Sequence, residues 1–273
     1  MAEDGTLTSA EVITQEAVRQ EVLEDIEESL VFRQAFDEYD ATNVNSSSVE
    51  IPVADGNVGE TGTVAEGTAP SREEALTSKV TVSTSKYMAE AAITREAIED
   101  SILGEIERQV EAHREALMEA LDGAAYDALS SGLTRAAVGD NGGSMDYDTF
   151  IDAMTELEND GYQPDFAIVS AQSKGDLMKS NEFTRASEMG DEVVFNGQFG
   201  EIAGVPVAVS NVGDLGAGEG FVFDTDHTGV EVIRSGVETR EYEEESNDQV
   251  VLQIRTRRGY KVLRGDAFAK ITA

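Results

Sequence analysis

TREAIEDSILGEIERQVEAHREALMEALDGAAYDALSSG, residues Thr94 to Gly132, is the stretch whose reading decides the fold. Ile98, Ile102, Ile106, Val110, His113, Leu117, Leu121, Ala124 and Ala128 recur every three or four positions. That spacing predicts a helix with one apolar stripe. The Thr94 hydroxyl is placed to cap its first turn, Ile93 and Ile98 form a hydrophobic staple, and Ser131-Gly132 ends it. At 1.5 Å rise per residue such a helix is roughly 55 Å long, against about 17 Å for an average globular helix. The alternative is a helix broken at Gly104 or Gly123, each costing about 1 kcal/mol against Ala. The opposite face carries Glu105, Glu111, Arg114, Glu115 and Glu119 and is expected to face solvent or a partner.

Composition limits what can hang from that helix. The chain has 273 residues and 40% hydrophobic content, enough for one large or two small domains with a real core. Fifty-five Asp and Glu against twenty Lys and Arg give a net charge of -35. Such a surface repels phosphate backbones and anionic membranes, so direct nucleic-acid binding is not expected. The carboxylates are spread through periodic, apolar-containing segments, and arginine outnumbers lysine fourteen to six. Proteins of salt-loving organisms share that habit: in about 1 M salt the screening distance falls to roughly 3 Å and the repulsion is damped. There is no cysteine, which removes disulfides, thiolate metal sites and thiol nucleophiles. The amino terminus lacks the basic and apolar regions of a signal peptide, and no apolar run reaches a membrane span, so a cytosolic product is expected.

Ser9 to Phe36 reads as an amphipathic helical arm, with Val18, Val22, Leu23, Ile26 and Leu30 on one side. From Asp40 to Lys86 there is no aromatic residue. Val49, Ile51 and Val53 alternate with polar residues, and so do Val80 and Val82, which predicts a long hairpin lacking the apolar material to support itself. It has to lie on another surface. Beyond the long helix, Asp146 caps a helix to about Asp160 that buries Phe150, Ile151, Met154 and Leu157 and stops at Gly161. A strand at Phe166 to Val169, a helix near Ser173 to Lys179 and a strand pair in Gly200 to Ser210, with Pro206 arguing for an edge, complete a small α/β unit. Strands follow at Phe221 to Phe223, Val230 to Ile233, Val237 to Tyr242, Val250 to Thr256, Tyr260 to Leu263 and Ala267 to Ile271. The longest hairpin turns at the acidic tip Glu243 to Asp248.

Little chemistry is on offer. Asp224, Asp226 and His227 sit where a turn ends at Gly229 and favours Asp anyway. The segment from Asp140 to Ile151 lacks the ligand spacing of a calcium loop, and Gly216, Gly218 and Gly220 precede a strand rather than a helix. His113 lies in the apolar stripe as a packed histidine. No catalytic, cofactor-binding or metal residue is assigned, and no cofactor. Arg255, Arg257, Arg258 and Arg264 form the one basic cluster, with Arg255 and Arg257 on one strand face. It is either a solvated face or a patch that meets acidic segments of another subunit.

In this order the chain resembles the major capsid proteins of tailed double-stranded DNA phages and their archaeal relatives, the Hong Kong-type capsid fold. The carriers are Ser29-Leu-Val-Phe-Arg-Gln-Ala-Phe36 ahead of Ser48-Val-Glu-Ile-Pro52, then Val64-Ala-Glu-Gly67 and Ile98-Glu-Asp-Ser101. Gly200-Glu-Ile-Ala-Gly-Val-Pro-Val207 and Gln253-Ile-Arg-Thr-Arg-Arg-Gly-Tyr260, running into Asp266-Ala-Phe268, complete them. The resemblance implies an α+β fold with an N-terminal arm (1–44), an extended loop (45–90), a peripheral domain with the spine helix (91–146 and 221–262) and an axial α/β domain (147–220 and 263–273). It implies contacts between subunits at Glu66, Gly67 and Lys79 of the loop, at Glu243, Glu244 and Glu245 of the tip, and at Arg255, Arg257 and Arg258. The implied function is structural and not enzymatic: hexamers and pentamers forming an icosahedral shell around packaged DNA. The acidity points to a virus of a salt-loving archaeal host, with assembly in the host cytoplasm and portal or decoration proteins as partners. No scaffolding segment is visible, so a scaffold is a separate protein or absent, and no residues for covalent crosslinking are assigned. Two alternatives stand beside this reading: an encapsulin-like nanocompartment around an enzyme cargo, and a salt-adapted acidic α/β enzyme.

Overall fold

A computed structural model describes residues 30–44, 46–54, 77–94, 104–139, 143–179, 200–210 and 215–272. The chain is organised as two sheets joined by one long helix. Strands β1 (Asp37–Asp40), β4 (Ser85–Thr94), β9 (Gly229–Glu244) and β10 (Gln249–Val262) form a four-stranded sheet in the order β1-β9-β10-β4. A five-stranded sheet has the order β11-β8-β5-β7-β6, from β5 (Phe166–Ser170), β6 (Glu201–Ile202), β7 (Val205–Ser210), β8 (Glu219–Phe223) and β11 (Phe268–Thr272). A separate hairpin pairs β2 (Ser48–Ala54) with β3 (Thr77–Ser83).

The long helix α1 is observed over Gly104–Gly132, without a break at Gly123. Thr94, the expected cap, is the last residue of β4, opposite Gln249 in the ladder, and the expected first turns of the helix after it lie outside the described residues. The β-branched and alternating residues of Ser85-Lys-Tyr-Met-Ala-Glu-Ala-Ala-Ile-Thr94 already satisfy a period of two, and β10 supplies the partner that settles it. Ile98 and Ile102 lie outside the described residues. The buried stripe also differs at its C-terminal end, where Ala125, Tyr126 and Leu129 are buried rather than Ala124 and Ala128. The steps 117, 121, 125, 129 follow the i, i+4 ridge of the helix. His113 is half-buried, and Arg114, expected in solvent, is also half-buried and paired with Glu111.

Burial by α1 couples the two sheets. Leu117 and Leu121 pack with Leu30, Val237 and Ile254 against the four-stranded sheet. One turn on, Ala125, Tyr126 and Leu129 enter an aromatic layer with Phe32, Phe36, Phe221, Phe223 and Phe268. Phe221 stacks on Phe223 at 5.8 Å and Phe223 on Phe268 at 5.9 Å, while Phe32 meets Tyr126 edge-on at 5.4 Å. These rings bury a large apolar area and hold one helix end rigidly to the five-stranded sheet.

The chain reaches this layer through Leu30 to Phe36, the only described part of the expected helical arm. It is a 3₁₀ turn at Phe32–Ala35 followed directly by β1, not α-helix. Buried Asp122 of α1 explains the geometry, because its Oδ1 accepts the backbone N–H of Phe32 at 2.7 Å and draws the turn onto α1. Burial raises the Asp122 carboxyl from the ordinary 3.8 to about 6, against the lowering effect of backbone hydrogen bonds from Phe32, Val31 and Arg33.

Helix α2 (Tyr147–Asn159) matches its expectation, with Asp146 accepting from Thr149 N–H at 2.8 Å as the cap, and with Phe150, Met154 and Leu157 buried. Helix α3 (Ala171–Lys179) follows β5 directly. Pro206 is not on the edge strand itself: the two-residue β6 is the edge. The proline lies one residue ahead of the β7–β5 ladder, which begins at Val207, so its missing N–H costs that ladder nothing. Residues 224–229, expected as a turn, form the short helix α4 (Thr225–Thr228), with His227 Nδ1 2.8 Å from Asp224 Oδ1.

The two expected strand pairs near the C-terminus fuse into β9 and β10. Ladder register shifts between Arg255 and Arg257, and again between Arg257 and Arg258, because β9 carries extra residues around Ser235-Gly236. A bulge absorbs them without ending the strand. Two domain expectations shift accordingly. Strand β8, with Phe221 to Phe223, lies in the five-stranded sheet rather than with β9 and β10, and Val138 bridges to Ile271 of that same sheet. Residues 85–94 leave the loop and close the four-stranded sheet.

Candidate functional site

β-Strand parity sorts the basic cluster. On β10, Ile254, Thr256 and Arg258 point to the side of the sheet covered by α1 and the N-terminal turn, while Arg255 and Arg257 share the other side. Arg258 is therefore corrected as a contact between subunits: it is wholly buried, with its Nη1 2.9 Å from Oε1 of Glu231, whose side chain is 1% exposed. Arg33 Nε donates to the other carboxylate oxygen of Glu231 at 2.6 Å and reaches exposed Glu38 through Nη2 at 2.8 Å. Tyr260 Oη donates to Glu231 Oε1 at 3.0 Å; burial, followed by the nearby Glu231 charge, pushes its phenol well above the ordinary range. One buried carboxylate thus holds two guanidiniums and a phenol, and ties the N-terminal turn to both long strands. Removing one partner of such a pair strands an uncompensated buried charge.

The outer face is built differently. Arg255 donates from Nε (3.0 Å) and Nη2 (2.6 Å) to Oε2 of Glu238, and both side chains are about two-fifths exposed, at 40% and 42%. Arg257 lies opposite Lys86 of β4 on one side and Ser235 of β9 on the other. Lys86, Ser235, Glu238, Arg255, Thr256 and Arg257 line a cavity of about 320 Å³. Buried Nε of Arg257 has no hydrogen-bond partner among the described residues. Met88, opposite Arg255, is 46% exposed and is one of two large apolar side chains left exposed among the described residues. The sequence pointed to Arg255 and Arg257 but missed Lys86, Ser235 and Glu238. Lys86 is recognisable only through strand parity once the β4–β10 register is known.

None of the other expected contact residues that are described lines this cavity. Lys79, on exposed β3, pairs with Glu50 of β2 at 3.0 Å, with both side chains largely exposed. Glu66 and Gly67 lie outside the described residues. Glu243 and Glu244 end β9 and Glu245 begins the tip turn, which closes through the Asn247 N–H donating to the Glu244 carbonyl at 3.2 Å. Asp248, with φ of 50°, takes the left-handed position that Asp tolerates. Among the described residues no group of three or more His, Asp or Glu is placed to hold a metal ion, and no helix is long and apolar enough to cross a membrane.

Among the described residues the β2–β3 hairpin is fully buried only at its base, with Ile51, Val53 and Val80 half-buried further along. Val49 and Val82, directly paired, are buried with Ala41, Val230 and Val232, whereas Glu50, Pro52, Ser78 and Lys79 are exposed. A two-stranded ribbon with one buried pair carries the rest of its length without a core of its own.

Comparison with known proteins places this architecture. A solved structure from Mycobacterium phage Che8 superposes with a TM-score of 0.70 at 16% identity, over 89% of this chain and 91% of that one. The capsid of cyanophage P-SCSP1u gives 0.69 at 11% identity, over 90% and 88%. A virus-like particle from Pyrococcus furiosus gives 0.60 at 11% identity, over 94% and 98%. No curated protein matches the sequence. The profile of the family described as phage capsid protein matches residues 77–271, from β3 to β11. The chain belongs to the phage capsid protein family, as a structural shell protein of the virion rather than an enzyme.

Proposed function

We propose that this chain builds an icosahedral shell of hexamers and pentamers that encloses packaged double-stranded DNA. The observation that carries the proposal is the β2–β3 hairpin, buried at its base and with an exposed polar face and a half-buried apolar one beyond it, on a body whose family and fold are those of shell proteins. In this reading the hairpin and the segment that it spans are the extended loop laid on a neighbouring subunit. The four-stranded sheet with α1 is the core of the peripheral domain, the five-stranded sheet that of the axial domain, and the Glu243 to Glu245 tip meets its mates between capsomers. Portal and decoration proteins, and a scaffold if one is used, would be its partners, with assembly in the host cytoplasm. Electron microscopy of the purified protein tests it: closed particles containing DNA are expected after packaging, and a small soluble oligomer would overturn it.

A nanocompartment of the same fold around an enzyme cargo is the second reading, favoured by the likeness to the virus-like particle over nearly the whole of both chains. Protein cargo in place of DNA inside native particles would select it. The charge of -35 per subunit supports a salt-adapted host. Lowering salt from about 1 M to about 0.01 M lengthens the screening distance from roughly 3 to 30 Å, so particles are expected to dissociate during dialysis. Light scattering follows this, and a shell stable without salt or divalent cations would exclude the salt requirement.

A further inference from the structure

The cavity on the outer face of the four-stranded sheet does more than mark a basic patch. Three of the twenty cationic side chains of the whole chain, Lys86, Arg255 and Arg257, line it together with a single carboxylate, Glu238. Arg255 spends two of its donors on Glu238, whereas the buried Nε of Arg257 has no partner among the described residues. A guanidinium presents paired, coplanar donors that match the two oxygens of a carboxylate. Exposed Met88 stands opposite Arg255 in the ladder, the sort of apolar neighbour that a protein contact covers and a free ion leaves bare.

We propose that this cavity is a carboxylate socket: an aspartate or glutamate side chain of a second copy of the chain enters it and pairs with Arg257, while Met88 is covered by the same contact. The proposal rests on the shell reading above. It commits to a second copy because each copy brings 55 carboxylates to a lattice where its neighbours are held at high effective concentration. Polyanionic DNA is the poorer occupant, since Glu238 already stands in the wall and the chain as a whole repels phosphate.

The test uses full-length protein assembled from equal parts of isotopically light and heavy chains. Carbodiimide joins a lysine amine to a carboxylate only at contact distance, so Lys86 is expected in mixed light–heavy crosslinked peptides with an Asp or Glu, which also names the entering residue. Arg257→Ala is expected to abolish that crosslink and raise the concentration needed for assembly by about tenfold, as loss of a charge-assisted pair predicts. Arg257→Lys, which keeps the charge and loses the fork, is expected to recover only part of it, with both variants giving wild-type circular dichroism. Lys86 crosslinks confined to single chains in wild-type shells, or unchanged assembly of both variants, would overturn the socket and leave the shell reading intact. Dependence on Arg257 that vanishes in DNA-free particles would place a phosphate there and also overturn it. A protein that forms no particles overturns the shell reading and the socket with it.

Discussion

Two Arg–Glu pairs sit three residues apart on β10 and have opposite physical characters. Arg258–Glu231 is fully buried, bonded on several sides, and makes the join between the N-terminal turn and the sheet. Arg255–Glu238 faces outward, two-fifths exposed, beside a cavity with an unsatisfied guanidinium nitrogen. The difference teaches that strand parity, rather than residue type, decides whether an arginine holds a subunit together or is free to meet a neighbour. A buried ion pair contributes little net stability when intact, because desolvation offsets attraction, yet it is costly to break. An exposed pair contributes under about 1 kcal/mol and can exchange partners at small cost.

The largest effect is expected from halving the inner pair. Arg258→Ala or Glu231→Ala should lower subunit stability by about 3–5 kcal/mol, read by urea denaturation, while Glu231→Leu with Arg258→Met should recover only part of it, because Arg33 and Tyr260 still lose their shared carboxylate. Single variants as stable as wild type would show that the network is not what joins the turn to the sheet.

Next comes the hairpin, which extends the outer side of the comparison. Replacing Val53 to Ser78 with a short Gly-Ser turn leaves the Val49–Val82 base in place. A folded, soluble subunit that no longer closes shells is expected, by circular dichroism and electron microscopy. Unfolding would assign the hairpin to the core, and normal particles would remove its role between subunits.

Reversing the outer charges, Arg255→Glu with Arg257→Glu, should reduce particle yield with little change in the circular dichroism of the subunit. Each contact is worth little, but a closed symmetric lattice repeats it many times. Wild-type yield would leave this face a solvated one.

The smallest expected effect concerns Asp122, another buried acid. Its carboxyl is raised in the folded state, so between about 4 and 6 the folded subunit keeps a proton that the unfolded chain releases. The stability linked to that proton is present in full below the unfolded value and is lost as pH rises through about 6. Asp122→Asn should flatten the slope over that window in denaturation series at several pH values. An unchanged slope would assign it to the other carboxylates.

How much of this was legible in the sequence follows from range. Helix α2 was read almost to the residue because its cap, apolar spacing and terminating Gly161 are all local signals. The β2–β3 hairpin followed from two alternating runs, its register only from the structure. That a strand runs up to Thr94 shows only once its partner β10 is known, and the β9 bulge was misread because Ser235-Gly236 looks like a break. At the site, Arg255 and Arg257 were visible as a parity pair, whereas the cavity required Lys86 from a strand about 170 residues earlier in the chain.

By itself the sequence determined the acidic, cysteine-free character of the chain, the existence of the long helix, the unsupported hairpin and the order of elements that resembles a capsid protein. These depend on composition and on periods of 2 and 3.6 within short windows. Only the tertiary structure decided which arginine is inside, because Glu231 meets Arg33 across 198 positions and Phe32 meets Asp122 across 90. A charge is buried or exposed according to what the fold brings against it, and its own neighbours in the chain carry no record of that partner.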